Sequence, residues 1–285
     1  MNPIWTHHLS PFILSFVLNG HRVGLRWYGL AYVLGFVFGY VVLRRAALRG
    51  EIDNLGERAL ERMVGALILG VIVGGRLGFV IQNIGAWRAD PLFPLKVWGG
   101  GMAFFGGLFG VILAVVWAVW RYKLRFWQVT DALTFPSALG LGFGRLANFG
   151  NSDLVGAPTN GQWGVMFPKV DALPRHPSQL YEAASHFALW ALLLFLAHRH
   201  RAWTYRRAGR LSLVFLSFYG FARFFTDFFR ADDTYFGPLS SGQWASLLVG
   251  FAGLALIGRT RGKSDSGNNA GTREFEEGTP RFHAP

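Results

Sequence analysis

Arginine keeps its charge in any protein environment and offers five N–H donors in a planar fork suited to phosphate or carboxylate. Three arginines of this 285-residue chain, Arg76, Arg145 and Arg223, fall within or at the ends of apolar stretches. In FGRLANFGNSDLVG, Arg145 and Asn148 are three apart and share one helix face, with Asp153 and Gly156 just beyond. In YGFARFFTDFFRADD, Arg223, Asp227 and Arg230 line up the same way among phenylalanines. A third polar island, RHPSQLYEA, carries His176, Tyr181 and Glu182, and Tyr28 opens an apolar stretch in LRWYGL. Guanidinium groups oriented by carboxylates are how an oxyanion site is preorganised, so the chemistry on offer is recognition of a phosphate-like anion. Plainer readings stand beside it. A lone arginine near a helix end is often a snorkelling side chain or half of an ion pair, Asp227 alone could neutralise its two neighbours, and Tyr28 fits an aromatic belt. Three arginines on one side favour a site.

The elements that must carry these residues are apolar. Hydrophobic residues make up 52% of the chain and charged ones 15%, with a mean hydropathy of +0.29 and no cysteine. That composition excludes a disordered chain, a disulfide framework, a thiolate metal site and a cysteine nucleophile. A membrane-crossing helix needs about 20 mainly apolar residues. About seven stretches qualify, at roughly 27–43, 63–82, 98–120, 127–147, 178–198, 210–227 and 242–258. The reading is an all-α polytopic membrane protein, with LSPFILSFVL ahead of the first span as a short interfacial piece.

Placement of charge sets orientation. Of 28 Lys and Arg, 18 fall after the first, third, fifth and seventh stretches, which puts those loops and the C-terminus in the cytoplasm and the N-terminus outside. The net charge of +12 is then mainly a topology signal, and nucleic-acid binding drops away. By this topology the marked arginines lie toward the outer leaflet. Residues 1–258 read as a single transmembrane domain with 148–177 as an outer loop region, and the polar 259–285 as a disordered cytoplasmic tail. Glycine runs such as GGRLG and GGGMAFFGGLFG suit close helix packing, and the triple glycine 99–101 also offers backbone N–H groups to an anion. The eight histidines are scattered, so no metal site is expected.

The runs RWYGL, GGRLG, GGGMAFFGGLFG, GRLANFGNSDLVG, RHPSQLYE and RFFTDFFR occur in this order between about residue 20 and 258. Together they resemble the bacterial prolipoprotein diacylglyceryl transferase family. The resemblance implies a bacterial inner-membrane enzyme that moves the diacylglyceryl group of phosphatidylglycerol to the lipobox cysteine thiol of a prolipoprotein signal peptide, forming a thioether and releasing glycerol phosphate. It implies no cofactor, since the reacting thiol arrives on the substrate. Arg145 and Arg223 are then expected to stabilise charge on the departing phosphate, Asn148 and Tyr28 to fix the head group, and Asp153 and Asp227 to hold the arginines. Arg76, Arg230, His176, Tyr181 and Glu182 complete the expected binding set, and Gly156 serves the backbone turn. Family members often have histidine at the position of Phe105, which leaves His176 and Glu182 as candidate bases, and commonly have Glu where this chain has Asp153 and Asp227. A transporter or channel for a lipid or small anion is the competing reading. It predicts matched, interrupted halves, which the sequence lacks.

Overall fold

The computed structural model describes residues 5–18, 21–96, 100–161, 163–231 and 235–259. The expected tail, apart from Arg259, lies outside the described residues.

Helices dominate. They are α1 (Trp27–Leu48), α2 (Glu57–Gln82), α3 (Ile84–Ala89), α4 (Phe104–Tyr122), α5 (Phe126–Asn151), α6 (Ser178–Arg199), α7 (Arg201–Arg206), α8 (Arg210–Asp227) and α9 (Ser241–Ile257). Each apolar stretch read from the sequence lies on one of them. Four, α1, α2, α4 and α6, are long and apolar enough to cross a membrane. Their outer faces expose Val33, Val37, Leu69, Val73, Phe109, Trp120 and Phe195, while Glu182, Asn148 and Asp227 are buried. A surface that shows apolar residues and hides charged ones is that of a membrane protein.

The short strands are β1 (Trp5–Thr6), β2 (Phe12–Leu18), β3 (His21–Arg26), β4 (Val165–Met166), β5 (Pro174–Arg175), β6 (Tyr235–Phe236) and β7 (Leu239–Ser240). The segment expected to be a short interfacial piece is half of an antiparallel hairpin, β2–β3, running directly into α1. Strand β1 pairs in parallel with β4, which pairs antiparallel with β5, so the N-terminal segment is tied to the loop after α5. The third stretch becomes helical only at Phe104, because Gly100 and Gly101 take left-handed φ angles of 78° and 91°.

Two compact units are distinguished. Among the described residues, one comprises 5–39 and 133–259; the other is Tyr40–Ala132. In the second unit, α2 and α4 meet backbone to backbone along glycines. A Cβ on Gly110 would lie 2.0 Å from the Gly70 carbonyl oxygen, and one on Gly74 would lie 2.4 Å from that of Gly106. In the first, α8 and α9 approach through Gly220 and Gly250, and α9 starts with a capping box in which Ser240 and Gln243 exchange hydrogen bonds.

Candidate active site

The first unit gathers its buried charges around one carboxylate. Glu182 sits on the second turn of α6 and is 3% exposed. Its Oε2 lies 2.6 Å from Arg145 Nε of α5, and its Oε1 accepts from Arg223 Nη1 of α8 at 3.0 Å and from Arg230 Nη1 at 3.1 Å. Asp227, one turn along α8 from Arg223, pairs with Arg223 Nη2 at 2.8 Å and lies 3.8 Å from Arg230 Nε. Its other oxygen accepts from Ser240 Oγ at 2.5 Å, so the residue that caps α9 also fixes this carboxylate. Arg145 Nη1 reaches buried Asn148 Oδ1 at 3.5 Å. Six of the expected residues, Arg145, Asn148, Glu182, Arg223, Asp227 and Arg230, therefore form one connected group, while the Tyr28 ring lies against that of Tyr32.

Three guanidinium groups converge on the carboxylates of Glu182 and Asp227 in a partly enclosed place. These contacts involve Nε and Nη1 of Arg145 and Nη1 and Nη2 of Arg223, fewer than the five N–H donors each guanidinium carries. The carboxylates thus hold the forks in place without consuming them.

A second layer is built on backbone. Gly156 N–H donates to the His176 carbonyl at 3.0 Å, His176 N–H to that of Ala157 at 3.0 Å, and Ala157 N–H to that of Phe229 at 2.9 Å. A Cβ on Gly156 would lie 2.4 Å from the Phe229 oxygen and 2.6 Å from that of His176, so only glycine fits. Arg175, which the sequence reading passed over, donates to the Gly156 carbonyl at 3.0 Å while forking onto Asp171. That fork holds the Asp171 carboxyl below its ordinary value. The His176 ring packs against Trp163 and Phe229, with Nδ1 3.4 Å from the Tyr181 hydroxyl, and burial pushes its imidazole below 6.5. A neutral ring in an aromatic cage is the result at neutral pH.

Two further expected residues stand apart from the cluster. Asp153 holds no arginine. Ser152 and Leu154 on either side of it have φ angles of 65° and 53°, and its exposed carboxylate accepts instead from Asn151 Nδ2 at 3.1 Å. The arginine-holding role expected of it belongs to Glu182. Arg76 belongs to the second unit and is 7% exposed. Its Nε donates to Pro94 O, Nη1 to Gly100 O and Gly101 O, and Nη2 to Phe93 O and Lys96 O. The guanidinium also lies over the rings of Phe79 and Phe93. All five donors end on carbonyl oxygens, so Arg76 holds Phe93, Pro94, Lys96, Gly100 and Gly101 in place. Of the triple glycine, Gly100 and Gly101 turn their carbonyl oxygens to this guanidinium, and Gly99 lies outside the described residues.

Residues 16–259 match the family model described as prolipoprotein diacylglyceryl transferase. The chain belongs to the prolipoprotein diacylglyceryl transferase family. Among relatives named phosphatidylglycerol–prolipoprotein diacylglyceryl transferase, that of Geobacter sulfurreducens is 40% identical over 254 residues, covering 87% of this chain and 94% of its own. That of Nitrosomonas europaea is 42% identical over 248 residues, covering 82% and 85%, and that of Bordetella parapertussis 40% over 245, covering 82% and 92%. The matched region contains both the α5–α6–α8 cluster and the Gly156 layer, so family membership and geometry bear on the same residues. It favours a prolipoprotein diacylglyceryl transferase over the transporter reading.

Proposed function

We propose that this chain transfers the diacylglyceryl group of phosphatidylglycerol to the lipobox cysteine of a prolipoprotein, with Arg145, Arg223 and Arg230 holding the phosphate. The observation that carries the site assignment is the convergence of Arg145, Arg223 and Arg230 on the buried carboxylate of Glu182, with Asp227 holding Arg223 from its other side. A phosphodiester carries one negative charge and presents acceptor oxygens to the unspent N–H donors. The acyl chains lie among apolar helices while the head group meets the arginines.

The sulfur attacks the glyceryl carbon, the S–C bond forms, and the C–O bond to phosphate breaks. Negative charge grows on the leaving oxygen, where Arg145 and Arg223 act, a stabilisation of about 2.7–4 kcal/mol per donor. Asn148 and Tyr28 orient the head group, and Glu182 and Asp227 position the arginines. Glu182 has both oxygens turned to guanidinium groups and is an anchor, not a base. Phe105, on the first turn of α4, is 75% exposed and rests against Phe104, with no atom that accepts a proton. The leaving glycerol phosphate takes the second negative charge, and the thiol proton is shared between it, with a second pKa of about 6, and water. No protein base is needed to balance the step.

The same reading takes α5, α8 and α9 as three further crossings, for seven in all, with the C-terminus cytoplasmic and the site toward the outer leaflet of the bacterial inner membrane. Helix α5 has 26 residues and turns its charges inward, which length and composition alone undervalue.

The test is purified protein with phosphatidylglycerol vesicles and a lipobox peptide, read by mass spectrometry for the thioether product. Arg145→Lys and Arg223→Lys should each lose about a hundredfold or more in rate. Absence of product with wild type overturns the activity; full rate in both variants overturns the site.

A further inference from the structure

Two amides in the first unit are held by their nitrogen ends and leave their oxygens unanswered. Gln179, 1% exposed, donates from Nε2 to the Asp153 carbonyl at 2.7 Å, and its Oε1 is enclosed with no partner. Asn151 donates from Nδ2 to the Asp153 carboxylate at 3.1 Å, and its Oδ1 is likewise enclosed and unpaired. Both orientations are determined by the acceptor each NH2 meets, because neither amide oxygen would be tolerated against an oxygen of Asp153. A buried acceptor without a donor is costly and rare enough to call for a reason.

Their position supplies one. Gln179 lies one turn before Glu182 on the same face of α6, and Asn151 lies one turn after Asn148 on α5. The arginine layer offers donors; one helical turn toward the loop end of both helices, the layer around Asp153 offers acceptors. A phosphatidylglycerol head group has the complementary order, an acceptor phosphate followed by two donor hydroxyls.

We propose that Gln179 Oε1 and Asn151 Oδ1 accept hydrogen bonds from the glycerol hydroxyls of the lipid head group, and so select this lipid over phospholipids whose head groups lack a hydroxyl donor there. The proposal rests on the reading of phosphatidylglycerol as donor lipid. Asp153 is the clamp that points both amides, which gives that residue work to do without an arginine to hold.

The experiment compares phosphatidylglycerol with phosphatidylpropanol, which has the same phosphate and no head-group hydroxyls, as donors for the lipobox peptide. Wild type should prefer phosphatidylglycerol by about tenfold to a hundredfold in kcat/KM. In Gln179→Met and Asn151→Ala the preference should shrink severalfold toward one, because the rate with phosphatidylglycerol falls while that with phosphatidylpropanol holds or rises. A structural role would lower both rates together and leave the ratio unchanged, which overturns the proposal. So does a wild type that uses both lipids equally. A wild type inactive with either lipid overturns the donor-lipid reading itself. If a variant fails to fold, the wild-type ratio alone still decides.

Discussion

Arg76 and Arg145 are both arginines of apolar helices, yet their surroundings differ in kind. Arg76 gives all five donors to carbonyl oxygens and lies over two phenylalanine rings. Arg145 meets a carboxylate and an amide, keeps most of its donors, and shares that carboxylate with two other arginines. Carbonyl dipoles can satisfy a guanidinium completely because they bring no opposing charge and come in any number a loop supplies. A carboxylate shared among three arginines cannot. A charge in an apolar helix therefore marks a site only when its donors outnumber its partners.

The sharpest way to break this contrast is to remove the shared carboxylate. Glu182→Ala removes the one carboxylate that Arg145, Arg223 and Arg230 share, and breaking a buried ion pair costs about 3–5 kcal/mol. The expected outcome is loss of thioether formation together with a large fall in the thermal midpoint in detergent. A folded, active variant would show that Glu182 is not the hub of the cluster.

Conservative changes at the arginines then separate the two regions. Lysine keeps the charge and loses the fork. Arg145→Lys and Arg223→Lys should lower kcat by about 10²–10³ with the midpoint nearly unchanged. Arg76→Lys should do the reverse, because two or more carbonyls lose a donor: the midpoint falls, and activity per folded molecule stays near wild type. If Arg76→Lys is as stable as wild type but inactive, the donor-counting argument fails.

Much of this was legible along single helices. The spacing of Arg145 with Asn148, and of Arg223 with Asp227 and Arg230, places each set on one face, and hydropathy located the helices that bear them. Contacts between helices were not. Glu182 meets Arg223 across 41 positions and Arg230 across 48, and no local pattern announces such a pair. Asp153 looked like the partner of Arg145 because it follows closely in sequence. Positive φ at Ser152 and Leu154, neither of them glycine, falls on both sides of it, and its carboxylate meets Asn151 instead. The donor count of Arg76 depends on the path of a loop, which composition does not encode. The β2–β3 hairpin was missed because an apolar segment interrupted by Pro11 reads equally as an interfacial piece.

The backbone layer at Gly156 gives a smaller effect. Gly156→Ala places a methyl against two carbonyl oxygens at 2.4 and 2.6 Å, and such overpacking costs about 1–3 kcal/mol. The strands that join residues 156–158 to His176 and Phe229 must part slightly, so a fall in kcat should accompany the fall in midpoint. An alanine variant with wild-type midpoint would mean the segment can give without cost.

The smallest effect expected is the pH response of His176. Burial lowers its folded-state value below 6.5, so the native ring resists a proton that the unfolded chain takes up readily. Its contribution to stability is complete above 6.5 and declines as the pH falls from there toward the lower folded-state value. His7, buried beside Ser152 and near Lys169, is shifted in the same direction and adds to the slope. The midpoint of wild type should therefore drop between pH 7 and pH 5. His176→Phe, which keeps the ring contacts with Trp163 and Phe229, should flatten that decline while retaining most of the activity at pH 7. A His176→Phe variant that folds but forms no thioether would make this ring part of the chemistry instead of the wall beside it.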